Sequence, residues 1–161
     1  MADSTLSPLE HPPIRSLIAD AGRATQALGA GRVVGEIYAY LYFSRCPRSL
    51  RDLEEALAIS KGSASMGVRR LERWAAVRRI SVPGQRKDFY AAELSVGRIL
   101  REAVAEILAT KLNGNGVALG AAAADLPAED RFLRERIRHL ATFRDQARKA
   151  LEDPTIQRLL R

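Results

Sequence analysis

With one cysteine, two histidines and one tryptophan among 161 residues, the chain lacks the raw material for several chemistries. Cys46 has no second thiol in its own chain, so no intrachain disulfide forms, and His11, His139 and one thiol do not assemble a histidine- or thiolate-rich metal site. No metal and no cofactor are expected, and this cysteine usage fits a reducing cytoplasm. The same scarcity leaves no serine, histidine and acid grouping, no carboxylate pair and no ligand cluster, so the chain does not read as an enzyme. No apolar run approaches the roughly 20 residues that span a bilayer. The amino-terminal MADSTLSPLEHPP also has neither the basic start nor the apolar core of a signal peptide. The expectation is a soluble cytoplasmic protein with no membrane partner.

What the chain has is basic charge. Lys and Arg number 26 against 19 Asp and Glu, a net charge of +7, which favours polyanionic partners without choosing among them. The distribution is more telling. Between Lys61 and Asp88 the basic residues are Lys61, Arg69, Arg70, Arg73, Arg78, Arg79, Arg86 and Lys87, opposed only by Glu72 and Asp88, a local surplus of +6. This block alone nearly equals the surplus of the whole chain, and such clustering is an electrostatic footprint for nucleic acid.

Hydrophobic periodicity places that block among helices. Ile14, Leu17, Ile18, Ala21, Thr25 and Leu28 recur at helical spacing after Pro12 and Pro13. Gly29 and Gly31 end this helix, and RVVGEIYAYLYFS follows as a core helix with Val34, Ile37, Tyr38, Leu41 and Tyr42 inward. Ser49 with Asp52 forms a capping box for LRDLEEALA, with Leu50, Leu53, Ala56 and Leu57 inward. Ser60 offers a second N-cap after a tight connection at Ala58 and Ile59. The result is helix, turn, helix. Its second member carries Ala64, Val68, Leu71 and Ala75 as the apolar stripe. VRRISV and KDFYAA around Pro83 and Gly84 predict a hairpin with Gln85 and Arg86 near the tip. After Ser95, Val96, Ile99, Leu100, Ala103, Val104, Ile107 and Leu108 hold a helical period to Leu112. NGNGVALGAAAAD reads as a glycine- and alanine-rich connection, in part helical, and not as a phosphate cradle, since no strand precedes it and its glycine spacing fits no nucleotide motif. Pro127 is expected to start a last helix striped by Leu133, Ile137, Leu140, Ala147 and Leu151, with Pro154 interrupting it.

Two helices joined by a tight turn and followed by a hairpin suit a recognition helix in the DNA major groove, with the hairpin reaching a neighbouring backbone or the minor groove. Free N–H groups at the helix start favour phosphate, Ser60, Lys61 and Ser63 add donors, and Gly62 lets the backbone approach. Ser65, Met66 and Arg69 suit base edges, Met66 through a thymine methyl and Arg69 through guanine O6 and N7. Arg70 and Arg73 suit phosphates, which position without specifying.

The stretch LRDLEEALAISKGSASMGVRRLERWAAVRRISVPGQRKDFYAA resembles the winged helix-turn-helix of MarR-type transcriptional regulators, above all their glycine-betaine-responsive GbsR-like branch. The resemblance extends back to GAGRVVGEIYAYLYFS and covers roughly residues 29–93, with SKGSxS and RRLERW its most specific parts. It implies a homodimer that binds a near-palindromic double-stranded DNA operator, usually as a repressor. It places the start of the recognition helix at Ser60 to Ser65, turns Arg69 and Arg70 toward DNA, and sets Arg86 and Lys87 on the wing. WAAVRR departs from the glycine that commonly ends this helix in such proteins.

The bland readings stand beside these. The arginine face could be merely solvated, with Glu72 among its members. Trp74 is expected to be structural. Tyr38, Tyr42 and Phe43, with Tyr40, either pack in a dimer core or form an effector pocket for a quaternary ammonium ligand, the kind of ligand some regulators of the resembled branch sense. Cys46, flanked by Arg45 and by Pro47 and Arg48, is either incidental or sensitive to oxidation.

The expected fold is mainly α with a small β-hairpin wing: a flexible segment over 1–12, N-terminal helices and winged helix-turn-helix over 13–93, and a helical dimerisation region over 94–161. The expected function is sequence-specific regulation of transcription, open to a small-molecule effector. The competing class is a winged-helix adaptor whose basic surface meets an acidic protein.

Overall fold

The computed structural model describes residues 7–81, 83–84, 87–127 and 129–153. A 3-10 turn at Pro8–Glu10 leads into α1 (Pro12–Ala27), α2 (Arg32–Phe43), β1 (Arg48–Ser49), α3 (Leu50–Leu57), α4 (Lys61–Arg73), β2 (Val77–Ser81), β3 (Asp88–Ala92), α5 (Val96–Asp125) and α6 (Arg131–Glu152). The chain divides into two units, Met1–Leu100 and Arg101–Arg161.

In the first unit, α2 is the central helix. Val34, Ile37, Ala39, Tyr40 and Leu41 are buried on it, and Leu53 of α3, with Ala64, Val68 and Leu71 of α4, completes the core. Glycine sets how closely the helices approach. A Cβ on Gly35 of α2 would strike the Ala21 carbonyl and Thr25 Oγ1 of α1, and one on Gly67 of α4 would come 2.6 Å from Ile37 Cδ1. Three expected inward positions differ. Leu17 of α1 and Leu28 just past its end are exposed, and on α2 the fully packed ring is Tyr40, whereas Tyr42 is 40% exposed.

Local chemistry starts and stops the short helices where expected. The Ser49 N–H donates to Asp52 Oδ2 at 2.7 Å and the Asp52 N–H donates back to Ser49 Oγ at 3.3 Å, closing the capping box of α3. Ala58 ends α3 in the left-handed region at φ +51°, which reverses the chain within one residue. The hairpin pairs β2 with β3 from Val77 opposite Ala92 to Ser81 opposite Asp88. β1 adds a third antiparallel strand that periodicity does not reveal, with Arg48 opposite Tyr90 and Ser49 opposite Phe89. The sheet order is β1-β3-β2.

The second unit corrects two expectations. NGNGVALGAAAAD is helical throughout and not only in part: α5 runs through it without interruption to Asp125. No proline falls within these 30 residues, and the alanine-rich end outweighs a local penalty of about 1 kcal/mol per glycine. Nor does α6 begin at Pro127. Its N-cap is Asp130, whose carboxylate accepts from the Leu133 N–H at 3.0 Å. Leu133 and Leu140 of the expected stripe are exposed. Pro154 lies outside the described residues.

Candidate nucleic-acid interface

The start of α4 is built by Ser60. Its Oγ accepts from the Ser63 N–H at 3.1 Å while its hydroxyl donates to Ser63 Oγ at 2.9 Å, so the cap is rigid and the neighbouring helix N–H groups point outward. Lys61 and Gly62 are exposed beside it. A Cβ at Gly62 would meet nothing nearer than Ser60 Oγ at 3.9 Å, so the bare backbone there is a matter of surface and not of packing.

Further along α4 the burial pattern separates two faces. Ala64, Gly67, Val68 and Leu71 are buried, whereas Met66 is 72% exposed and Arg69 and Arg73 are exposed. Ser63 and Ser65 sit half-buried at the edge. Arg69 has no carboxylate within 4 Å among the described residues, so its charge is presented to whatever lies in front of the helix. Arg70 has another occupation than the expected one. Its Nη1 donates to the Ala30 carbonyl at 3.0 Å and its guanidinium lies 5.1 Å from the centre of the Trp74 ring. It ties the α1–α2 turn to α4, because its position one residue past Arg69 rotates it about 100° toward the body. Trp74, 3% exposed, is structural as expected.

The turn after Trp74 is resolved by Ala75 at φ +49°. The Ala75 N–H donates to the Glu72 carbonyl at 2.9 Å and the Ala76 N–H to the Leu71 carbonyl at 2.8 Å. This is the paired pattern that usually places glycine at the residue Ala75 occupies.

The hairpin holds less free charge than its sequence suggests. Arg79 donates to Glu72 at 3.2 Å, lies 3.3 Å from Asp88, and stacks 5.8 Å from the Tyr90 ring; the bond it donates to Glu72 holds its guanidinium above its usual pKa. Arg78 pairs with Glu93 at 3.6 Å. Sequence reasoning missed that Glu72 joins α4 to β2 through Arg79, a contact made only once the turn at Ala75 has formed. Lys87 is exposed, its Nζ 5.5 Å from the Phe89 ring. Arg86 and Gln85 lie outside the described residues. Among the described residues of this block, Lys61, Arg69, Arg73 and Lys87 are exposed, and so are Arg78 and Arg79 with their carboxylate partners.

Tyr38, Tyr42 and Phe43 meet in a row. Tyr38 and Tyr42 centroids are 6.0 Å apart and Tyr42 and Phe43 are 5.3 Å apart, edge to face. The Tyr38 hydroxyl donates to the Glu93 carbonyl at 2.9 Å, and burial, with Tyr42 and Glu93 nearby, raises its pKa. No described cavity is lined by all three rings. Cys46 is half-buried and borders a depression of about 200 Å³ that Arg45 and Arg78 also line. No group of three metal-ligating side chains occurs among the described residues, and no helix among them is long and apolar enough to cross a membrane.

A solved structure described as a transcriptional regulator superposes with a TM-score of 0.60 at 21% identity, covering 92% of this chain and 98% of that one. The helical core, the turn and the hairpin therefore have a counterpart of known fold. The fold is a winged helix-turn-helix. Lower similarity connects this winged helix to the transcriptional regulator Tm0710 from Thermotoga maritima, with a TM-score of 0.42, 17% identity and coverage of 88% and 94% of the two chains. A mutant MepR from S. aureus, solved bound to an oligodeoxyribonucleotide, gives 0.43, 16% identity and coverage of 90% and 99%. No family model and no curated protein matches the chain.

Proposed function

We propose that the protein is a sequence-specific DNA-binding regulator of transcription, a dimeric repressor of MarR type in the GbsR-like branch. The observation that carries this reading is the outer face of α4. A rigid Ser60 cap, a bare backbone at Gly62, an exposed Met66 and an Arg69 without a carboxylate neighbour follow one another along the side that the core does not use. That order matches the needs of a helix entering the major groove, with phosphate contacts at its start and base contacts further on. Lys87 on the hairpin supplies a second backbone contact.

Dimerisation is supported by apolar side chains that the single chain leaves in water, with Val117 on α5 and Phe132, Leu140 and Phe143 on α6 each more than half exposed. A two-fold dimer would set two α4 helices against half-sites about 34 Å apart. A small-molecule effector would act by changing that separation.

The test is fluorescence anisotropy with duplexes from the promoter regions of its own and neighbouring genes, against random duplex at two salt concentrations. Tight binding of one dimer to one segment, with a preference that survives added salt, is the expected result. Arg69→Ala should weaken binding to that segment by about 1–3 kcal/mol and leave random duplex nearly unchanged. Equal losses on both, or binding to every duplex that vanishes with salt, would reduce the face to bulk electrostatics.

A further inference from the structure

The first unit has a cleft of about 220 Å³ where the turn between α1 and α2 meets α4. Gly31, Arg32 and Val33 line one wall, and Ser63, Met66 and Arg70 of α4 line the other. Gly67 brings the two walls together. A Cβ there would stand 2.6 Å from Ile37 Cδ1 and 3.5 Å from Val33 Cγ1, so the first turn of α2 lies directly against the middle of α4.

Both cations at the cleft are held in place. Arg32 is exposed, and its Nε donates to Glu36 Oε1 at 2.6 Å, one turn along α2. That bond fixes the side chain and does not use the two Nη groups. Glu36 is 9% exposed, so what the surface presents is the guanidinium. Arg70 is tied to the opposite wall by the bond from its Nη1 to the Ala30 carbonyl at 3.0 Å. No carboxylate lines the cleft among the described residues.

The neighbours of the cleft decide which anion it meets. Ser63 and Met66 stand on the side of α4 that is proposed to enter DNA. A helix with its side chains is about 10–12 Å across and the major groove is about 12 Å wide, so a residue flanking the helix on that side meets the sugar–phosphate strand bordering the groove. We propose that Arg32 is a DNA-backbone contact, its Nη groups on a phosphate of the strand that runs along the cleft between α2 and α4. Guanidinium forks pair with phosphate through charge-assisted hydrogen bonds, and a fork already oriented by Glu36 loses little freedom on binding. The inference rests on the DNA reading and extends it to a residue outside the basic block from Lys61 to Asp88.

The test is fluorescence anisotropy of the full-length protein over a salt series, on the segment it prefers and on random duplex, for the parent, Arg32→Gln and Arg32→Lys. Both substitutions remove the bond to Glu36, but only glutamine removes the charge. Arg32→Gln should weaken binding to both duplexes alike, about tenfold or more at low salt, and flatten the log–log salt slope by about two per dimer, one phosphate for each protomer. Arg32→Lys should keep the parent slope. A single methylphosphonate, scanned along each half-site, should weaken the parent at one position and leave Arg32→Gln indifferent there. An unchanged slope in Arg32→Gln, equal losses in both variants with equal falls in melting temperature, or the absence of any such position overturns the proposal. So does saturable calorimetric binding of inorganic phosphate that Arg32→Gln abolishes, which would make the cleft a site for a free anion. Binding that is equal on every duplex refutes the operator and leaves the slope comparison valid, whereas binding to no duplex refutes both.

Discussion

Replacing Gly35 by alanine sets two physical effects of opposite sign against each other. Considered only as a residue in the middle of α2, alanine should stabilise the helix by about 1 kcal/mol. The structure predicts the reverse. The new Cβ would fall well inside contact with the Ala21 carbonyl and 2.5 Å from Thr25 Oγ1, roughly 1 Å short of ordinary van der Waals separation. The obstacle includes α1 backbone, which cannot swing aside, so the two helices must part. Overpacking of this kind costs about 1–3 kcal/mol. Displacing Thr25, whose hydroxyl lies 2.9 Å from the Gly31 carbonyl, removes about 1 kcal/mol more. After the helix-propensity gain, the net loss is about 1–3 kcal/mol, or a melting temperature several degrees lower. Gly62→Ala is the matched control in the same unit, because nothing lies within 3.9 Å of its Cβ, and its expected gain is at most about 1 kcal/mol. Urea unfolding followed by far-ultraviolet circular dichroism measures both. If Gly35→Ala unfolds at or above the parent's midpoint, the close crossing of α1 and α2 is wrong.

Gly62→Ala carries a second prediction: with stability held or raised, affinity for the operator segment should fall if the helix backbone meets phosphate there, and unchanged anisotropy titrations would remove Gly62 from the interface. Ala75→Gly should raise the urea midpoint, since releasing a left-handed alanine is worth about 1–2 kcal/mol against an added glycine entropy of about 0.5–1 kcal/mol; a lower midpoint would mean that residue 75 does not hold φ +49°. Burial raises the Tyr38 pKa above its unfolded value near 10. Its contribution is therefore fully present below about pH 10 and is lost as pH rises through the folded value. Tyr38→Phe should flatten the fall in urea midpoint over that alkaline range, leaving the smaller slope that Tyr90, shifted in the same direction, still supplies. An unchanged slope would contradict the burial of the Tyr38 hydroxyl.

How much could be read in advance depended on the range of each interaction. The N-caps at Ser49 and Ser60, the break at Gly29 and Gly31 and the β2–β3 hairpin are decided by residues within a few positions of one another, and all stand in the structure as expected. The spacing of Ala64, Val68 and Leu71 likewise assigned the buried face of α4 and left Lys61, Met66 and Arg69 outside. Position on the helix was not enough for Arg70, since its partners Ala30 and Trp74 include one from a turn 40 residues earlier. For the same reason the charge count of the central block did not show that Arg78 and Arg79, though exposed, are paired with Glu93 and Glu72, contacts made only after the hairpin has folded back.

Glycine marks the limit most clearly. In NGNGVALG its low helix propensity argues for a connection, yet α5 continues through it, and Gly116 is placed against the Arg144 guanidinium of another helix. The two-residue strand β1 has no period to detect and exists only because β3 lies beside it. The sequence by itself determined the helix starts, the hairpin, the inner and outer faces of α4 and the sign of the charge, because each follows from neighbours along the chain. Only the tertiary structure decided which arginines are paired, how closely α1, α2 and α4 pack, and that Arg32 of α2 shares a cleft with Ser63 and Met66 of α4, because each depends on atoms brought together from distant positions.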